Sequence, residues 1–181
     1  MMWLRTLLAL GALSTTLAED QCEPQPGGVL MECCKLGDLL FPPSIDSSAT
    51  SCRKKLPPLN PSNWTQSAKN AHACLVECIF AEEGILTQEK KVDKEVAVKY
   101  FTSSNSSLTS MVKTAVEKCI QSYEADVDQT LHCKSGAGEL KDCFLLEYFL
   151  DCPSASYNPS PKCDEFKSKV KKCPGMRSSQ R

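Results

Sequence analysis

The sequence predicts an all-α protein, a compact bundle of about six to eight short helices locked together by disulfides. Three observations carry that expectation. Apolar residues recur at three- and four-residue steps in several separate segments, while no segment alternates apolar and polar residues as a half-buried strand would. Prolines, 11 in 181 residues, fall between those segments and keep the helices short. The chain also carries 12 cysteines, an even number, beside a 41% hydrophobic content that is sufficient for the core of one domain.

Residues 29–36 read as a short helix holding Cys33 and Cys34, stopped at Gly37. Pro42-Pro43 and Pro57-Pro58 bracket a segment, 45–55, that holds Cys52. A longer helix is predicted over 65–83, with Asn63 as N-cap, Gly84 as stop, and Ala68, Ala71, Leu75 and Ile79 as its stripe. Thr87 or Asp93 opens a helix reaching Phe101, with Val92, Val96 and Tyr100 inward. The most regular stripe runs from Leu108 through Met111, Val112, Ala115, Val116, Cys119 and Ile120 to Tyr123. Residues 139–151 are apolar on more than one face and so should be buried on most sides. Pro159 and Pro161 introduce a last helix, 162–172, with Phe166 and Val170 inward and its lysines solvated.

Met1 to Ala18 has one cation, Arg5, an apolar stretch at 7–13, and small residues before a cut after Ala18. This is the pattern of a secretory signal peptide, and no later run approaches the 18 or so apolar residues that span a bilayer. The expected organisation is a leader at 1–18 and one domain over 19–181. That domain has a core at about 44–153, extensions at 19–43 and 154–173, and a frayed tail at 174–181. A secreted, extracellular setting is oxidising, so six disulfides are the default.

Composition removes several function classes. With 21 basic and 22 acidic residues, nothing attracts nucleic acid or an anionic membrane. Two histidines cannot supply a site that needs three, and no GxSxG, HExxH or P-loop is present. Cys74 and Cys78 have helical metal-ligand spacing, but no CxxC pair exists and oxidation removes thiolates. No enzyme activity, cofactor or metal is expected.

The cysteine gaps are specific. Cys52…Cys74-x3-Cys78…Cys119…Cys143-x8-Cys152 resembles the six-cysteine signature of insect odorant-binding proteins. Cys133-x9-Cys143-x8-Cys152-Pro153-x9-Cys163 is similar to their Plus-C subfamily, of mosquito type. The resemblance covers nearly the whole chain after residue 18. It implies the insect pheromone/odorant-binding fold, with terminal extensions, around an apolar cavity. It also implies the interlocked pairs Cys52–Cys78, Cys74–Cys143 and Cys119–Cys152. Cys22, Cys33, Cys34, Cys133, Cys163 and Cys173 are left for three more bridges, with 15 pairings open. Adjacent Cys33 and Cys34 should not join each other, and are expected to hold the N-terminal segment to the C-terminal extension.

The function the resemblance implies is carriage of small hydrophobic odorants or pheromones through sensillum lymph to olfactory receptors, as a monomer or homodimer. Two alternatives are a carrier of a non-odorant hydrophobic ligand outside the antenna, and a disulfide-rich interaction or inhibitor protein without a cavity. Candidate ligand-lining residues are Ile79, Phe80, Met111, Val112, Ala115, Val116, Phe144, Leu145, Tyr148 and Phe149; ordinary core packing is the plainer reading of each. Tyr100, Tyr123 or Tyr148 is available to hydrogen-bond a polar ligand group. His72 and His132 titrate near neutrality but read as surface residues. Asn63-Trp64-Thr65 and Asn105-Ser106-Ser107 are N-glycosylation acceptor sequons.

Overall fold

The computed structural model describes residues 28–35, 41–57, 65–102 and 109–173. Cys22, Asn63, Asn105, the leader at 1–18 and the tail at 174–181 lie outside them. Among the described residues are seven α-helices: α1 (Gly28–Cys33), α2 (Ser44–Lys55), α3 (Gln66–Glu82), α4 (Lys94–Thr102), α5 (Thr109–Ser122), α6 (Ala137–Leu150) and α7 (Pro161–Lys172). A single 3-10 turn, Tyr123–Asp126, extends α5. The described residues contain no strand beyond two isolated bridges, Cys34 with Tyr157 and Leu86 with Val92. No described helix is long and apolar enough to cross a membrane.

Capping chemistry sets the helix boundaries. Thr65, rather than Asn63, caps α3: its hydroxyl accepts from the Ala68 N–H at 3.3 Å. Asp93 Oδ1 accepts from the N–H groups of Glu95 and Val96, each at 3.1 Å, and so starts α4. Ser160 caps α7 ahead of Pro161 at its first position, where a missing N–H costs nothing. Between α3 and α4 the chain turns back at Gly84 (φ 72°) and forms a small hairpin, with the Thr87 N–H donating to the Lys91 carbonyl at 2.8 Å.

α6 is the central element. It packs against α3, α5 and α7, and buries residues around its whole circumference, including Leu140, Phe144, Leu146, Tyr148 and Phe149. Two stripes differ from their sequence reading. α4 turns Ala97 and Phe101 fully inward, one residue on from Val96 and Tyr100, which are only half-buried. α3 buries Leu75, Val76 and Phe80, while Ala68 and Ala71 are half-buried.

The disulfides correct two implied pairs. Cys52 is bonded to Cys78, but Cys74 bonds Cys133 instead of Cys143, and Cys119 bonds Cys143 instead of Cys152. Packing explains both. α5 lies along α6, which sets the Cα atoms of Cys119 and Cys143 5.7 Å apart. The 131–135 loop is drawn onto α3 by two hydrogen bonds, His132 N–H to Asn70 Oδ1 (2.7 Å) and Ser135 N–H to Glu77 Oε2 (3.2 Å). Cys133 is thereby carried to within 5.0 Å of Cys74, Cα to Cα. Cys152 lies past the end of α6 and is bonded to Cys34. In the order 52, 74, 78, 119, 133, 143, the bridges still join first to third, second to fifth and fourth to sixth. The interlock is kept, displaced by one cysteine.

The N-terminal segment is held to the C-terminal extension twice, by Cys34–Cys152 and by Cys33–Cys163. Backbone bonds reinforce this seam: the Lys35 N–H donates to the Ser156 carbonyl, and the Asn158 N–H to the Cys33 carbonyl, both at 2.9 Å. Cys173 is disulfide-bonded as well.

Candidate functional site

Aromatic side chains from three other segments, Phe41, Phe80 of α3 and Phe101 of α4, gather against α6. Phe101 of α4 is the hub: its ring centroid lies 4.5 Å from Phe144, 6.2 Å from Phe80 and 5.9 Å from Phe41. Tyr148, one turn beyond Phe144 on α6, continues the group at 6.4 Å. Offset and edge-on rings at such distances pack favourably without a rigid stack.

All ten candidate lining residues belong to this hydrophobic cluster. Phe80, Val112, Ala115, Val116, Phe144, Tyr148 and Phe149 are buried in it, whereas Ile79, Met111 and Leu145 are partly buried at its edge. Phe149 points toward the α7 side, against Phe166 at 5.1 Å and Tyr157 at 6.4 Å, and away from the Phe101 group. Phe101 and Phe41 are cluster members that the sequence reading did not single out. The Ala97–Phe101 i, i+4 pair was the available signal for the first.

The two larger of the described clefts lie elsewhere. One, of about 590 Å³, runs between the 87–94 hairpin and Tyr123; the other, of about 460 Å³, lies beside the Cys74–Cys133 bridge. Neither is lined by any of the ten. Cys52, Cys78 and Glu82 bring ligand-type atoms within 4.8 Å of one another, but both sulfurs are consumed in the disulfide and have no thiolate to offer a metal.

The four tyrosines differ in how their hydroxyls are satisfied. Tyr100 is bonded to Glu83, and burial followed by that carboxylate pushes its pKa up. Glu83 also accepts from Ser44 and Ser48 Oγ, each at 2.6 Å, which ties α2 to the end of α3. Tyr123 is bonded to Glu124 and its pKa is raised to about 12, by burial first and the carboxylate second. The Tyr157 hydroxyl donates to Asp164 Oδ1 at 2.8 Å, and its pKa is likewise raised to about 12, chiefly by burial. Tyr148 is fully buried, its hydroxyl has no hydrogen-bond partner, and desolvation alone raises its pKa.

His72 corrects a second expectation. It is half-buried on α3, facing Lys141 and Asp142 of α6. Burial, then the Lys141 charge, lowers its pKa to about 4, against a smaller upward pull from Asp142. His132 is exposed, as expected. Lys167 departs from a purely solvated face: its Nζ sits 4.9 Å above the Tyr157 ring and 5.9 Å above Phe149.

The model of the PBP/GOBP family matches residues 44–147, which is more than half of the chain. The chain belongs to the PBP/GOBP family. All six interlocked cysteines, and the helices from α2 to the last turn of α6, fall inside the match; Cys33, Cys34, Cys152, Cys163 and Cys173 fall outside it. General odorant-binding protein 68 of Anopheles gambiae is 22% identical over 111 residues, covering 55% of this chain and 52% of that protein. The chain thus spans about half the length of that relative. Membership agrees with the resemblance to insect odorant-binding proteins that the cysteine spacing carries.

Proposed function

We propose that this PBP/GOBP member is a secreted carrier that takes small hydrophobic molecules of odorant or pheromone type into the aromatic cluster on α6. It would be made with a leader at 1–18, act as one domain over 19–181, and deliver its cargo through sensillum lymph to olfactory receptors. Its terminal extensions and extra cysteines are those of the Plus-C type. One observation carries the reading: the family match covers the helices whose apolar side chains meet in the aromatic-rich cluster on α6. Such an interior binds by apolar burial, with few polar groups to fix orientation. Ile79, Met111 and Leu145, at the cluster's edge, are the side chains free to adjust, and the thioether of Met111 is the most adaptable of them.

Uptake of the fluorophore N-phenyl-1-naphthylamine tests this. The expected result is saturable, blue-shifted emission that apolar competitors displace, and that weakens when Met111 and Val112 are replaced together by tryptophan. Absence of saturable uptake by the intact protein overturns the carrier reading in favour of an interaction module.

A further inference from the structure

We propose that Tyr148 is the polar anchor of this interior, so that the preferred ligands carry one hydrogen-bond acceptor, such as a carbonyl, on an apolar skeleton. The proposal rests on the carrier reading above and names the ligand class for that site.

The argument begins with a contrast among the tyrosines. Three of the four direct their hydroxyls to a carboxylate near the protein's surface: Glu83, Glu124 and Asp164. Tyr148 directs its hydroxyl into the interior, where its relative exposure is 0% and no partner meets it. A buried hydroxyl left unbonded is destabilising, because it surrendered its water bonds on folding and received nothing in exchange. Phenylalanine would fill the same space without that penalty. The orphan sits one turn from Phe144, whose ring meets Phe101 and Phe41, with Phe80 packed on Phe101 behind them. A ligand entering the cluster would therefore meet aromatic faces and a single unsatisfied O–H. Desolvation raises the hydroxyl's pKa, which keeps it protonated and a donor throughout the physiological range. Its complement is an acceptor: a ketone, aldehyde or ester oxygen fits, whereas a bare hydrocarbon leaves the donor unpaired. Tyr148 falls just beyond the family-matched residues, so family membership alone does not supply this assignment.

The test compares wild-type protein with Tyr148→Phe, using displacement of N-phenyl-1-naphthylamine by 2-octanone and by 1-octene, which has the same chain length and no oxygen. In the wild type the ketone should compete about tenfold better, once the difference in their partitioning from water is subtracted, as expected for one net hydrogen bond in a dry site. In Tyr148→Phe the ratio of ketone to alkene affinity, so corrected, should fall to about one. A ketone preference that survives the substitution overturns the proposal. Thermal unfolding of the ligand-free proteins supplies a second reading. The midpoint of Tyr148→Phe should be equal to or above that of the wild type, because a penalty has been removed. A clearly lower midpoint means the hydroxyl already has an internal partner, and this also overturns the proposal. If the wild type takes up no fluorophore at all, the carrier reading fails first and the anchor falls with it.

Discussion

Gly136 and Gly84 both hold left-handed backbone, at φ 78° and 72°, yet their surroundings differ. At Gly84 a Cβ would enter open space, whereas at Gly136 it would lie 2.4 Å from the ring of Tyr123. That ring is 3% exposed, so room for a Cβ requires it to shift within the core. Gly84→Ala should therefore cost only the left-handed penalty, about 1 kcal/mol, and Gly136→Ala about 2–4 kcal/mol because overpacking is added. Urea unfolding of the two variants measures the difference, and equal losses would mean that the Tyr123 contact is soft. His72 gives a pH prediction. Its folded pKa of about 4 lies below the ordinary 6.5, so below pH 6.5 the unfolded chain binds a proton that the folded protein refuses. This contribution is intact above pH 6.5, is lost as pH falls toward 4, and levels off once both states are protonated. It amounts to at most about 3 kcal/mol. His72→Gln should flatten that part of the stability profile, and an unchanged slope would assign it to other groups. Neither property was legible in the sequence. His72 looks like a surface residue because the groups that enclose it, Lys141 and Asp142, stand some 70 positions away.

The helices were legible because each exposes its periodicity locally, and the prolines and glycines between them punctuate. The errors came where two candidates satisfied the same local rule. Asn63 and Thr65 both suit an N-cap, and the hydrogen bond from Ala68 decides for Thr65. On α4, Val96 and Tyr100 form as good a stripe as Ala97 and Phe101; only the α6 side chains behind them select the second. The cysteines failed in the same way. Cys133-x9-Cys143 and Cys143-x8-Cys152 are nearly equal gaps, and spacing along a chain does not reveal which pair faces α3 and α5. The spacing of Cys74 and Cys78 was more informative: two sulfurs one turn apart reach different neighbours, and in the structure these are the 131–135 loop and α2. The ten residues named from α3, α5 and α6 all lie in the hydrophobic cluster, which also takes in Phe41 and Phe101 from segments that carry weak local patterns.

Across the whole molecule, the interlocked set and the terminal seam are separate devices. Three bridges tie α2, α3, the 131–135 loop, α5 and α6 into the frame around the aromatic cluster. Cys33–Cys163 and Cys34–Cys152 fasten the ends of the chain outside that frame. The seam bridges span 130 and 118 residues, which would make each a strong restraint on the unfolded chain if it stood alone. They do not stand alone. Because Cys33 and Cys34 are adjacent, either bridge leaves the other closing a ring of only about a dozen residues, as Cys152 and Cys163 are themselves close in sequence. By chain entropy, removing one bridge should cost about 3 kcal/mol and removing both about 6 kcal/mol, because the disulfide at Cys173 still restrains the C-terminal extension. Cys33→Ser/Cys163→Ser, Cys34→Ser/Cys152→Ser and the fourfold variant, compared by urea unfolding, measure this. A loss in the fourfold variant close to the two double-variant losses added together is the expected outcome. A clearly greater loss would mean that the two bridges close one shared long loop that the Cys173 disulfide does not restrain. Fluorophore uptake should survive in both double variants at temperatures where they stay folded, because the frame that holds the aromatic cluster keeps all three of its own bridges.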